Sequence, residues 1–159
     1  MFQTAGEIGV TLQCYMRLVM LGAPPVLFDM LKFVFLHMSS TDADLDLVEF
    51  FCGIGVHTRT YLSAGLSAVG YDILRDGKFM NMCSDLGMLV AITLAKRLGA
   101  RAVVWLATVC SSWSWMSLHS TGRNVDVLGS EYALSVVQGN LMTCRSGLLI
   151  FLTIALDCT

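Results

Sequence analysis

The chain has 159 residues with a formal net charge of −2 at pH 7, and 55% of its residues are apolar against 14% charged. A chain of this length without a linker-like break in composition is expected to bury a substantial core. The net charge of −2 supplies no electrostatic footprint for nucleic acid, because phosphate binding requires a basic stripe. The apolar content indicates either a larger fold or an apolar surface that binds a protein partner or another copy of the chain.

The six cysteines and three histidines are dispersed along the chain, and no two cysteines form a C-x-x-C pair. This distribution argues against a zinc site or a disulfide framework, and it favours reduced thiols. We therefore predict an intracellular protein, cytoplasmic or nuclear, that binds no metal.

The first 40 residues are strongly apolar from residue 16 onward, but two prolines, Asp29 and Lys32 interrupt the run. They show neither the basic start nor the cleavage site of a signal peptide, and we expect no transmembrane segment. A helix is predicted from Pro25 onward, so residues 1–40 are interpreted as a helical extension. The apolar residues that repeat at helical spacing there are Leu27, Met30, Leu31, Val34, Phe35 and Met38.

Strand-like runs alternate with helical ones from Leu45 onward. The run "LDLVEFF" predicts a buried strand, "VHTRTYLSAG" a helix, and "LSAVGYDI" a second strand. Ser84 is the predicted N-cap of the next helix, for which Gly99 is the expected stop signal. A last helix is predicted over residues 131–156, bent or split at Gly139 and Gly147.

This alternation predicts an α/β fold for residues 41–159, a Rossmann-like three-layer sandwich with a mostly parallel sheet. The predicted strands are Asp46–Phe51, Ser67–Tyr71 and Ala102–Leu106, adjacent in the sheet with the first one central. Ligands of such sheets bind beyond the carboxyl ends of the strands, so the loops that follow these three strands are expected to carry the site.

A glycine turn follows the first strand and is flanked by two acids. Gly53 and Gly55 let a ligand approach the backbone closely, although a tight turn alone has the same requirement. Glu49 lies near the end of the first strand, and Asp72 at the end of the second can accept both hydroxyls of a ribose. The combination favours a ligand that contains adenosine. The third small residue of a dinucleotide fingerprint is replaced here by Thr58. An acid four residues before the first glycine, Glu49, suits a ligand with a positively charged amino-acid end. We therefore favour S-adenosylmethionine over NAD, and an NAD-type oxidoreductase stays an alternative.

The stretches "LVEFFCGIG" and "GYDI" resemble the first two motifs of the class I methyltransferases that use S-adenosylmethionine. The nearest form is the "DLFCGxGG" motif of the cytosine-5 DNA methyltransferases, and the resemblance covers residues 46–123. It implies that the cofactor contacts the residues of these two motifs, namely Glu49, Phe50, Phe51, Cys52, Gly53, Gly55, Asp72 and Ile73. It also implies a contact to adenine from Asp85 and Leu86 in "MCSDLGM".

The resemblance further implies that Cys110, in "LATVCSSWSW", is the catalytic nucleophile, with Val109 where the family has proline. His119 or Arg123 would supply the positive charge that lowers the pKa of its thiol, whereas a cysteine without a catalytic role is the simpler interpretation. Trp113 is a candidate for stacking on a flat ring. We also hypothesise that Asn140 and Arg145 face the Cys110 loop.

Three departures from the family limit what the resemblance implies. The chain has no Glu-Asn-Val stretch, no Gln-x-Arg stretch and no target-recognition domain, so cytosine methylation is not supported. The methyl acceptor is therefore unknown, and nucleic acid is implied by the resemblance alone. The family's sheet continues for several more strands, so we expect a divergent, truncated relative. The alternative from another class is a non-catalytic remnant or interaction module.

Overall fold

The computed structural model describes residues 16–29, 32, 43–109, 111–124 and 128–156. Within them the chain is an α/β protein with one open sheet of three strands, β1 (Leu45–Phe50), β2 (Ala68–Tyr71) and β3 (Leu98–Leu106). The strand order is β2-β1-β3, and both pairings are parallel. The prediction of three adjacent parallel strands with the first one central is confirmed.

From residue 43 onward, four α-helices accompany the sheet in the described ranges: α1 (Val56–Ser63), α2 (Asp85–Lys96), α3 (Leu118–Thr121) and α4 (Leu134–Ala155). Helix α1 connects β1 to β2, and α2 connects β2 to β3, as the strand and helix patterns predict. Two 3-10 turns, Ser111–Trp113 and Trp115–Ser117, follow β3. None of the helices in these ranges is long and apolar enough to cross a membrane.

The helix boundaries confirm one sequence signal and correct two others. The Ser84 hydroxyl accepts the backbone N–H of Gly87 at 3.0 Å, so Ser84 is the N-cap of α2 as predicted. Gly99 is not the helix stop, because β3 already begins at Leu98, which is buried and paired with Leu45. Helix α4 runs unbroken through Gly139 and Gly147, so the predicted split is wrong.

The two faces of β1 contact different helices. Successive side chains of a strand point to opposite faces. Val48 and Phe50 pack into the hydrophobic cluster that includes Met88 of α2 and Leu149 of α4, whereas Glu49 points to α1 and contacts Thr58. The sheet is therefore covered by α1 on one face and by α2 and α4 on the other.

The amino-terminal segment also contributes to the core. Residues 25–29 are helical, as predicted, and Leu18 and Leu27 belong to the same hydrophobic cluster as the strands. The rest of the predicted repeat falls outside the described residues, namely Met30, Leu31, Val34, Phe35 and Met38.

Candidate functional site

The connection from β1 to α1 is a tight turn with three residues in the left-handed region. Phe51 has a φ of 58°, and Gly53 and Gly55 have φ values of 49° and 70°. A left-handed conformation at a phenylalanine is sterically unfavourable, and such residues concentrate at functional sites. The turn is held by the N–H of Gly55, which donates to the carbonyl of Cys52 at 2.7 Å. Only four residues separate the end of β1 from the N-cap of α1.

The Glu49 side chain is bonded to the first turn of helix α1, which follows this glycine turn. It is 4% exposed, and one carboxylate oxygen accepts both the backbone N–H of Thr58 at 2.7 Å and the Thr58 hydroxyl at 2.6 Å. Burial raises the pKa of Glu49, but the bonds from Thr58 and from the backbone of His57 outweigh it, and the pKa lies below its ordinary value. The carboxylate is therefore ionised at neutral pH and caps the amino-terminal turn of α1.

Asp72 ties the loop after β2 to the glycine turn. Its two carboxylate oxygens accept the N–H groups of Gly53 and Leu74, each at 2.8 Å. An ionised carboxylate has about four acceptor positions, so these two bonds leave capacity for a ligand's hydroxyls. Asp72 is 9% exposed and contributes to the wall of a cavity.

This cavity lies at the carboxyl ends of the strands and has a volume of about 400 Å³. It is bounded by the residue after β1, the end of β2 with its loop, the segment before α2, the loop after β3 and one side of α4. The lining residues are Phe51, Tyr71, Asp72, Ile73, Leu74, Met80, Asn81, Met82, Cys83, Val109, Gln138 and Met142. Its volume and its mainly apolar wall with few polar groups are typical of small-molecule sites.

Tyr71, one of the residues of this wall, carries a buried hydroxyl. The residue is 1% exposed, its ring lies 5.4 Å from that of Phe50, and its hydroxyl has no hydrogen-bond partner among the described residues. Burial raises the pKa of Tyr71 to about 12, so the hydroxyl is neutral. An unpaired buried hydroxyl costs about 1–3 kcal/mol.

The glycines on the α1 face make room for an arginine. A side chain at Gly55 would collide with the guanidinium of Arg75, and a Cβ at Gly70 would lie 3.1 Å from its central carbon. The same Cβ would lie 2.8 Å from the sulfur of Cys52. Gly55 also has a φ of 70°, which is strained for any other residue, so the turn itself favours glycine there whatever ligand approaches it.

Of the residues that sequence reasoning assigned to the cofactor, Phe51, Asp72 and Ile73 line the cavity, and Gly53 is joined to it through Asp72. Phe50 instead packs in the hydrophobic core. The Cys52 thiol is also buried, and burial raises its pKa. Asp85 lies outside this cavity. It pairs with Arg145 at 2.5 Å and lines a second cavity of about 450 Å³ between residues 26–29, α2 and α4. Leu86 is exposed on α2.

The loop after β3 is fastened to α4 by a buried arginine. Arg123 donates to the Ser112 carbonyl at 2.9 Å and to the Asn140 side-chain oxygen at 2.7 Å, and it stacks on the ring of Trp113. The hypothesis that Asn140 faces this loop is confirmed. Arg145 instead donates to the carbonyls of Met82 and Ser84, so its predicted orientation is wrong. Cys110 itself lies outside the described residues.

Sequence reasoning missed Tyr71 and the Met80–Cys83 wall. Tyr71 stands in the second motif, where a strand pattern predicts only burial. The "FMNMC" stretch shows no periodicity, but its methionines are typical of adaptable binding surfaces, which was the available signal. No protein-family model, no curated protein and no solved structure matches this chain. Function has to be argued from the site alone.

Proposed function

We propose that the chain is a Rossmann-like domain of the methyltransferase type that binds S-adenosylmethionine, with the methyl acceptor unassigned. The observation that carries the proposal is the strand-end cavity with Asp72 on its wall. A ligand there lies beyond the carboxyl ends of parallel strands, where α/β sheets bind their ligands. Asp72 retains acceptor positions for the two hydroxyls of a ribose, and Ile73 supplies apolar contact beside it.

Glu49 favours S-adenosylmethionine over a dinucleotide. In dinucleotide sites a pyrophosphate binds the free N–H groups at a helix amino terminus. Here the N–H of Thr58 in the first turn of α1 is already bonded to the buried, negatively charged Glu49. A pyrophosphate at the amino terminus of α1 would meet an occupied donor and a like charge, which argues against a dinucleotide.

Catalysis is the second part of the proposal. Methyl transfer to oxygen or nitrogen needs positioning and at most one general base, so it does not require a catalytic pair. Val109 lies on the cavity wall, and the next residue is Cys110. We therefore keep the prediction that Cys110 lies beside the cofactor's methyl group.

A non-catalytic interaction module is the second candidate, and exposed apolar side chains favour it. Leu74, Met116 and Tyr132 are largely exposed. Such side chains mark protein interfaces when they are contiguous. This candidate predicts self-association or partner binding without nucleotide binding.

The test is calorimetric titration of the purified protein with S-adenosylmethionine, S-adenosylhomocysteine and NAD in parallel. We expect both sulfur compounds to bind with one site per chain and NAD to bind more weakly than either. Binding of NAD alone would replace the proposal with the oxidoreductase alternative. No binding of any of the three by folded protein would refute the nucleotide site and leave the interaction module.

A further inference from the structure

We propose that the Tyr71 hydroxyl hydrogen-bonds the uncharged purine ring of the ligand in the strand-end cavity, which makes Tyr71 a specificity-determining residue. This inference rests on the proposed function and deepens it. Tyr71 is not among the residues that the sequence motifs assign to the cofactor.

The first argument is that the hydroxyl is the polar group that the protein leaves unused. Within the described part of the chain, it is the single buried side-chain nitrogen or oxygen without a hydrogen-bond partner. Such groups are rare in folded proteins, because burial without a partner is costly. A ligand atom would remove that cost on binding.

The second argument is that most other polar groups of the cavity wall already have protein partners. Asp72 accepts two backbone N–H groups, and the Asn81 side-chain oxygen accepts the N–H of Cys83 at 2.9 Å. The Cys83 thiol donates to the Gln138 carbonyl at 3.9 Å. Unlike these groups, the Tyr71 hydroxyl has its full donor and acceptor capacity available.

The third argument concerns the kind of atom that this hydroxyl can receive. Tyr71 packs in the core beside Phe50, and its hydroxyl lies on the side of Cys83 and Arg145, the two groups whose charges act on its pKa. The lining of the same cavity includes the Cys83 thiol and the thioethers of Met80, Met82 and Met142. A charged ligand group would lose its hydration there, whereas a flat neutral ring with polar edge atoms keeps one hydrogen bond and gains apolar contact. Unbranched methionines can shift to admit it.

The decisive variant is Tyr71→Phe, titrated with S-adenosylhomocysteine and with adenosine alone, alongside thermal unfolding of the ligand-free protein. We expect about tenfold weaker binding of both ligands, because both carry the purine and its edge atom would be left unpaired. The melting temperature without ligand should stay equal or rise, since the variant removes an unpaired hydroxyl. Tyr132→Phe, at a largely exposed tyrosine, is the matched control and should leave affinity unchanged.

Three outcomes separate the claims. Equal affinity of the parent and Tyr71→Phe would overturn this inference and leave the proposed function intact. A lowered melting temperature without ligand would also overturn it, because the hydroxyl would then serve the fold. If the parent bound neither ligand, the proposed function would fall and this inference with it.

A second measurement uses the parent protein and does not depend on the variant folding. A ring that reaches the Tyr71 hydroxyl must cover Cys83, which lies on the same wall. Alkylation followed by peptide mass mapping should show S-adenosylhomocysteine slowing the reaction of Cys83 several-fold and leaving that of the exposed Cys144 unchanged. Binding without protection of Cys83 would place the ligand elsewhere and overturn the inference.

Discussion

Glu49 and Tyr71 are both almost fully buried polar residues near the ends of neighbouring strands, but they point to opposite faces of the sheet. Glu49 is paired with Gly70 in the sheet register and Phe50 with Tyr71, so the tyrosine shares the face of Phe50. The Glu49 carboxylate is bonded twice by Thr58, whereas the Tyr71 hydroxyl is bonded by no described residue.

The difference separates structural polar groups from groups available to a ligand. On the α1 face, the Glu49 carboxylate is bonded to the hydroxyl and the N–H of Thr58, and Arg75 lies against Gly55 and Gly70. On the other face, a cavity of about 400 Å³ retains unused hydrogen-bonding capacity. The motif "LVEFFCGIG" therefore stabilises the turn beside the site through Glu49 and its partners. The contacts with the ligand are expected mainly on the face of Phe50 and Tyr71.

The largest expected effect is on stability, from Glu49→Ala. Each hydrogen bond to a charged group contributes about 1.5–3 kcal/mol, and the Thr58 N–H would be left buried without its acceptor. We expect the free energy of unfolding in urea to fall by about 3 kcal/mol. Glu131→Ala, at an exposed glutamate, is the control and should change it by less than about 0.5 kcal/mol.

The difference in the free energy of unfolding between the parent and Glu49→Ala should also depend on pH. The pKa of Glu49 in the folded protein lies below its ordinary value of 4.5, so its stabilisation is complete above that value and is lost as the pH falls through the folded pKa. The stability difference between parent and Glu49→Ala should therefore be constant near neutrality and shrink below about pH 4.5. A difference that grows on acidification would show that the buried acid is held protonated.

Asp72→Ala tests the residue that bridges the two regions. Loss of a carboxylate that accepts ribose hydroxyls should weaken S-adenosylhomocysteine binding by roughly tenfold to a few hundredfold in calorimetry. Asp76→Ala is the matched control, because Asp76 bonds the N–H groups of Lys78 and Phe79 and does not line the cavity. Unchanged affinity in Asp72→Ala, with its fold verified by circular dichroism, would refute the ribose contact.

Gly87→Ala probes how tightly the cavity wall is packed against α2. Alanine usually stabilises a helix by about 1 kcal/mol relative to glycine. At Gly87, however, the new methyl group would lie 2.5 Å from the carbonyl carbon of Asn81, a backbone atom that cannot turn away. We expect a net loss of about 2 kcal/mol in urea unfolding. Gly147→Ala in α4, where no atom stands within 4 Å, should instead stabilise the protein.

The smallest expected effect is that of Asp85→Ala. Its side chain is 99% exposed although it pairs with Arg145, and exposed ion pairs contribute about 0.5 kcal/mol or less. Arg145, 15% exposed, donates hydrogen bonds to the carbonyls of Met82, in the wall of the strand-end cavity, and Ser84. The variant leaves both hydrogen bonds intact. Affinity for S-adenosylhomocysteine should change less than twofold. A tenfold loss would instead support the contact between Asp85 and adenine that the family resemblance implies.

The sequence predicted the fold where local signals and tertiary packing agree. The strand runs, the glycine turn and the Ser84 cap are local features, and all appear in the structure. The prediction that Gly99 is the stop signal of α2 was wrong, because Leu98 already pairs with Leu45 in the sheet. The predicted breaks in α4 failed because packing of α4 against α2 and the loop after β3 holds a helix that propensity alone would interrupt.

The candidate site was harder to predict, since it depends on which face each side chain takes and which partners it finds. Asp72 was identified because an acid at a strand end is a local pattern. Glu49 was identified as a site residue, but its partner Thr58 is nine residues away, and only the structure shows its hydrogen bonds. The unpaired state of Tyr71 is a property of the whole surrounding wall and has no sequence signature.

The most direct test of the account is NMR of protein labelled at its methionine methyl groups, titrated with S-adenosylhomocysteine. Met80, Met82 and Met142 line the strand-end cavity, Met88 lines the second cavity, and Met116 is exposed. The account predicts that the first three resonances shift on binding while those of Met88 and Met116 stay in place. Shifts confined to Met88, or none in folded protein at saturating ligand, would contradict it.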